Sequence, residues 1–71
     1  MSRRIVERPE YVYENLDKLP KLLEELGKTQ AEVARESGLS SFQLSTWIYG
    51  SRMPCQESYN KLAEYLGWRL W

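Results

Sequence analysis

Seventy-one residues make room for one small domain with a single core, and for no second catalytic or sensory domain. Ten basic and ten acidic side chains cancel, so bulk charge demands neither a nucleic acid nor a membrane surface, and any polyanion binding must come from local arrangement. The lone Cys55 excludes an internal disulfide, and the absence of histidine removes the commonest metal ligand and general base, so a reducing, cytoplasmic setting without metal or cofactor is expected.

Residues 1–15 set Arg3, Arg4 and Arg8 among Ile5, Val6, Tyr11, Val12 and Tyr13, and Pro9 interrupts any helix running through them. This stretch reads as an extended arm, and it lacks the apolar core of a signal peptide. No apolar run approaches the roughly 20 residues of a membrane span, so a soluble, unprocessed chain with no membrane partner is expected.

From Asp17 the pattern changes. Leu19, Leu22, Leu23 and Leu26 recur at the spacing of one helix face, with Asp17 as the expected cap, Pro20 in the first turn and Gly27 as the stop. Thr29 opens a second helix, and Glu32 three positions later closes a capping box on it. Val33 and Ala34 face inward there, Gly38 supplies a left-handed end, and Leu39 plugs the turn that follows. Ser40 with Gln43 repeats the capping pattern, so a third helix is predicted over about 41–49, burying Leu44 and either Trp47 or Ile48 before Gly50. After residues 51–54, a fourth helix carries Tyr59, Leu62, Ala63 and Leu66 on one stripe and stops at Gly67. Short helices with brief connections predict a compact all-α domain of four to five helices over residues 16–67, with an aromatic tail at 68–71.

The carboxylates invite an enzymatic reading, but Glu24, Glu25, Glu32, Glu36, Glu57 and Glu64 fall on helix faces interspersed with lysines and arginines. Such faces are ordinarily solvated, whereas an acid–base pair needs two carboxylates with divergent environments in one cleft. Cys55 has no base to activate it, and no glycine-rich phosphate loop exists. No catalysis is expected.

The second and third helices suit another task. A major groove admits one α-helix, held there by a second helix that crosses the backbone. Gln30, at the start of the second helix, is placed to meet a phosphate with help from the helix's positive end. On the third helix the inward assignments leave Ser41, Phe42, Gln43, Ser45, Thr46 and Tyr49 outward or sideways. Phe42 suits a thymine methyl, or else packs on the first helix. Gln43 suits adenine or the capping box, and not easily both. Arg52 is the one charged residue between Leu39 and Gln56, so the face carries no carboxylate to repel phosphate. The same uncharged face would also suit a protein partner.

The stretch GKTQAEVARESGLSSFQLSTWIYGSRMPCQESYNKLAEYLG resembles the helix-turn-helix family of lambdoid phage repressors, Cro proteins and xenobiotic-response-element regulators. The resemblance rests on Thr29 and Gln30 opening the second helix, Val33 and Ala34 within it, the Gly38-Leu39-Ser40 turn, and Leu44. It continues through Gly50, Pro54 and the Leu62-Ala63 and Leu66-Gly67 pairs, spanning about residues 16–67. It implies a lambda-repressor-like fold and binding of double-stranded DNA by a small prokaryotic or phage transcriptional regulator. It further implies that Gln30 meets backbone phosphate, that Ser41, Phe42 and Thr46 stand where base edges are read, and that Gln43 and Arg52 approach flanking phosphates. The family often has a basic or amide residue at those base-reading positions, an acidic one where Ile48 stands, and a serine cap where Cys55 stands.

Family repressors often carry a further dimerisation or sensing domain, so a chain ending at Trp71 compares most naturally with a standalone Cro-like regulator. Tyr65, Trp68, Leu70 and Trp71 form an aromatic cluster too large to leave exposed. Either it folds back on Ile5, Val6, Tyr11 and Tyr13, or it makes a symmetric homodimer contact. Fold-back would leave Arg3 and Arg4 able to reach a phosphate or the minor groove. The alternative function on the same fold is an adaptor or antitoxin-like protein-interaction module.

Overall fold

A computed structural model describes residues 8–71. Four helices follow in order, α1 (Glu10–Leu26), α2 (Gln30–Ser37), α3 (Ser41–Tyr49) and α4 (Gln56–Leu66), with no strand among the described residues. The described residues form an all-α domain. Its core draws Val12, Leu16 and Leu19 from α1, Val33 and Ala34 from α2, Leu44 and Trp47 from α3, and Tyr59, Leu62 and Ala63 from α4, with Leu39 of the turn completing it. Of the two candidates on α3, Trp47 is the buried one and Ile48 is only half-buried.

α1 departs from expectation. It begins at Glu10, so residues 10–15 are helical instead of part of an extended arm, and Pro9 serves as N-cap, its carbonyl accepting from the Val12 amide at 3.0 Å. Pro9 thus marks a helix start, where its missing N–H has no partner to lose. Val12, Leu16, Leu19 and Leu23 form one continuous stripe at helical spacing, and burying its first two members outweighs the cap that Asp17 offered. Pro20 therefore lies inside α1 and not in its first turn, and the Leu16 carbonyl loses a helical donor.

The C-terminal tail folds back on the domain. Tyr59, fully buried, has Trp68 stacked on it at 6.2 Å between ring centroids and Trp71 edge-on at 6.3 Å. Its hydroxyl accepts from Asn15 Nδ2 at 2.9 Å and donates to the Arg69 carbonyl at 3.3 Å, so a polar atom in the core is satisfied from both α1 and the tail. Burial pushes the Tyr59 phenol above its ordinary pKa, and the bond from Asn15 opposes that rise. Tyr11 donates its hydroxyl to the Leu70 carbonyl at 2.8 Å, and Arg69 lies over its ring at 4.6 Å. Asn60 grips Trp71 from both sides, accepting from its amide at 2.7 Å and donating to its carbonyl at 2.9 Å. Of the four arm residues expected to receive the tail, Tyr11 does so, Tyr13 remains exposed, and Ile5 and Val6 lie outside the described residues.

Pro20 is exposed, so its replacement tests the extent of α1 without disturbing the core. Pro20→Ala is expected to stabilise the domain by about 2 kcal/mol, from the regained helical bond less the entropy that proline removes from the unfolded chain. Urea unfolding of both proteins measures this difference. A helix beginning at Asp17 would leave the change near neutral.

Candidate nucleic-acid interface

α3 is nine residues long, too short to persist alone, and its ends and one side are fixed by neighbours. At its start Ser40 Oγ accepts from the Gln43 amide at 3.1 Å while Gln43 Oε1 accepts from the Ser40 amide at 3.0 Å, closing the capping box. At its end the Thr46 carbonyl accepts from the amides of Ser51 at 2.9 Å and Arg52 at 3.3 Å, which ties the Arg52 backbone to the last turn. Leu44 and Trp47 are its buried anchors.

α2 is set against it by the turn. Gly38 has φ 84°, and the Leu39 amide reaches back to the Ala34 carbonyl at 2.8 Å, so the chain reverses and Leu39 drops into the core. A side chain at Gly38 would meet nothing within 4 Å, and the positive φ alone favours glycine there. Thr29 and Glu32 form the expected capping box on α2. The amides of Gln30 and Ala31 precede the first residue able to bond within that helix, so they leave an anion-favouring end.

What remains outward on α3 is a stripe of Phe42, Ser45, Thr46 and Tyr49, with Ser41 at its head. Phe42 is 70% and Tyr49 79% exposed, so Phe42 does not pack on α1. Ser41 and Arg52 are exposed, while Ser45 and Thr46 are half-buried. Thr46 Oγ1 donates to the Gln43 carbonyl at 2.7 Å, which leaves its oxygen as an acceptor. Gln43 is half-buried and its Oε1 is taken by the cap, leaving its amide hydrogens as donors. Gln30 Nε2 donates to the Ser41 carbonyl at 3.1 Å, so this residue also braces the start of α2 against the start of α3.

A shallow cleft of about 170 Å³ lies between this stripe and the start of α4, and Phe42, Thr46, Arg52, Cys55 and Ser58 are among its walls. Cys55 is the N-cap of α4 and makes no capping bond to its backbone, as expected where a serine is replaced. The Ser58 hydroxyl, 3.3 Å from the sulfur, holds the thiol below its ordinary pKa. Sequence reasoning missed Ser58 on this wall, and it missed Arg8, whose Nε donates to the Pro54 carbonyl at 3.0 Å. No spacing rule links residues so far apart. Arg3 and Arg4 lie outside the described residues.

Among the described residues, no group of three or more potential ligands is placed to hold a metal, and no helix is long and apolar enough to cross a membrane. Two helices joined by a glycine turn, the second capped, anchored and bare of charge, define a helix-turn-helix domain. Residues 19–69 match the helix-turn-helix family model, and the chain belongs to that family in its lambda-repressor and Cro-like form, a class of DNA-binding regulatory domain. No curated protein and no solved structure gave a significant match.

The pose of α2 also depends on a cluster at its far end. Lys28 Nζ donates to Glu36 at 2.7 Å, and the Tyr65 hydroxyl of α4 donates to the same carboxylate oxygen. Lys28, then Tyr65, lower the Glu36 pKa, while the bond to Glu36 raises that of Lys28. Glu32 is lowered by the Thr29 backbone and then its side chain. These carboxylates therefore contribute stability above their ordinary value of 4.5 that is lost as pH falls through their depressed folded values. The Lys28 contribution is present at neutral pH and is lost only as pH rises through its raised folded value. Glu36→Gln is expected to melt lower than the parent at neutral pH, with the gap narrowing as pH falls below 4.5. Thermal melts across an acid pH series measure the convergence.

Proposed function

We propose that the protein is a small prokaryotic or phage transcriptional regulator of the Cro and repressor kind, binding an operator in double-stranded DNA by inserting α3 into the major groove. It acts by occupancy, in the cytoplasm, as a homodimer and without catalysis. The observation that carries the reading is the outer stripe of α3. It is free of carboxylates, flanked by Arg52, and rigidly held through Leu44, Trp47 and two well-formed ends.

Each side chain then has a role matched to its chemistry. Phe42 meets a thymine methyl, and Ser41, Ser45 and Thr46 exchange short hydrogen bonds with base edges. Tyr49 and Arg52 close on the flanking backbone, and the remaining Gln43 donors face a phosphate. Gln30 and the free amides of α2 meet a second phosphate. Arg8 sits on the Pro54 carbonyl, beside the loop that carries Arg52, and Arg3 and Arg4 are assigned to a phosphate or the minor groove.

One observation favours a second reading. Two highly exposed aromatics on an electrically neutral chain also suit a protein-binding face, as in an adaptor or antitoxin-like module. Salt separates the two, because phosphate binding releases counterions and an apolar contact does not. Fluorescence anisotropy with a labelled duplex is expected to show affinity falling steeply between low and moderate salt. Arg52→Ala should weaken binding to all duplexes alike and flatten the salt slope by about one unit per monomer. Phe42→Ala should instead lose preference at one base pair, by about 1–3 kcal/mol. Binding insensitive to salt, or a change of base preference in the Arg52 variant, would contradict these assignments.

A further inference from the structure

The loop between α3 and α4 carries the exposed Arg52, and its two halves are held by different means. The first half belongs to α3, because the amides of Ser51 and Arg52 share the Thr46 carbonyl. The second half has no such tie. Pro54 has no N–H to donate, and the Cys55 side chain gives α4 no capping bond. What fixes this half is the buried Pro54 itself, whose carbonyl accepts from Arg8 Nε at 3.0 Å. A charged donor makes this one of the stronger kinds of hydrogen bond.

Arg8 is held there in turn by the C-terminal tail. Its guanidinium carbon lies 5.8 Å from the centre of the Trp71 ring, within the range at which an aromatic face attracts a cation. Trp71 is itself fixed to α4: Asn60 accepts from its amide and donates to its carbonyl, Gln56 Nε2 donates to the same carbonyl at 2.8 Å, and Tyr59 meets its ring edge-on. Gln56 is the first residue of α4, two positions after Pro54. The tail, the residue before the α1 cap and the end of the loop therefore meet at one point. Arg8 is only half-buried and contributes no apolar surface to the core, so folding alone does not account for its place.

We propose that Arg8 is a positioning residue for the nucleic-acid interface: docked Trp71 holds it on the Pro54 carbonyl, and that contact sets the loop so that Arg52 is presented to a phosphate. The inference rests on the operator-binding reading and deepens it, since the aromatic tail becomes a determinant of affinity. The physical basis is preorganisation. A loose loop must be ordered when Arg52 meets the duplex, whereas a loop already fixed by Arg8 and Trp71 loses little freedom on binding. Trp71 is uncharged and releases no counterion of its own, so any effect of its side chain on salt dependence has to pass through a cation that it positions.

Duplex binding across a salt series tests it, on the parent, Arg8→Met, Trp71→Leu, Arg52→Ala and the two double variants that combine Arg52→Ala with each of the others. Thermal melts check that every chain is folded at the assay temperature. Arg8→Met and Trp71→Leu should each weaken binding roughly fivefold, the scale of one exposed ionic contact, and Trp71→Leu should flatten the salt slope toward that of Arg52→Ala. In the Arg52→Ala background both changes should do little, because the residue they act through is gone. Additive losses would make Arg8 an independent contact and overturn the proposal, as would a parental salt slope in Trp71→Leu. Amide hydrogen exchange without DNA reads the clamp alone. Arg8→Met should speed exchange at Ser51 and Arg52 while the core amides of α1 and α4 keep their parental rates, a pattern that general destabilisation does not give. Unchanged exchange at the loop would overturn the proposal whatever the duplex does. A parent that binds no duplex while its loop still responds to Arg8→Met removes the DNA reading and leaves the clamp standing. A parent that binds DNA indifferently to Arg8 and Trp71 removes this proposal alone.

Discussion

A nine-residue helix does not hold itself together in water, and everything distinctive about this domain follows from how α3 is held. Leu44 and Trp47 are its only buried side chains, and they fix one side of it to the core. The capping box at Ser40 and Gln43 and the bonds to the Thr46 carbonyl fix its ends. Because the anchoring is complete without the remaining positions, Phe42, Ser45, Thr46 and Tyr49 are released from structural duty. In the proposed function, their chemistry answers to the DNA outside the molecule.

The rest of the chain supplies a core large enough to bear that anchoring. A domain of this size buries little surface, and the tail adds two tryptophans to it. Tyr59 joins the parts: its ring receives Trp68 and Trp71, and its hydroxyl links Asn15 of α1 to the Arg69 backbone. The Lys28, Glu36 and Tyr65 cluster joins α2 to α4 at the surface. The α2 and α3 pair is thus braced from below by Tyr59's network and from the side by this cluster, while its outer stripe stays uncovered.

Local rules made much of this visible in the sequence. Thr29 with Glu32 and Ser40 with Gln43 are short-range signals, and both capping boxes formed where the spacing indicated. The glycines after each helix did the same. The start of α1 was hidden because two signals competed: Pro9 looked like an interruption, while Asp17 looked like a cap. The Val12 and Leu16 stripe that decides between them lies among tyrosines and charges that mask its period. Interior Pro20 runs against helix propensity, and tertiary packing overrides it. On the candidate site, exposure and the Gln43 capping bond followed from local spacing, but the bonds made by Thr46 and Gln30 did not. Only three-dimensional proximity shows that Thr46 bonds to the Gln43 carbonyl and Gln30 to the Ser41 carbonyl. Arg8 and Ser58 were beyond reach for the same reason, since neither belongs to a local pattern.

In the proposed function, the outer stripe of α3 distinguishes one base pair from another. Selection of bound duplexes from a randomised pool by the purified chain, followed by sequencing, addresses it most directly, run in parallel with Thr46→Ala. An enriched pseudo-palindrome is expected for the parent, and a changed base at one symmetric position for the variant. A parent that enriches no sequence, or a variant that selects the same motif while remaining folded, would contradict it.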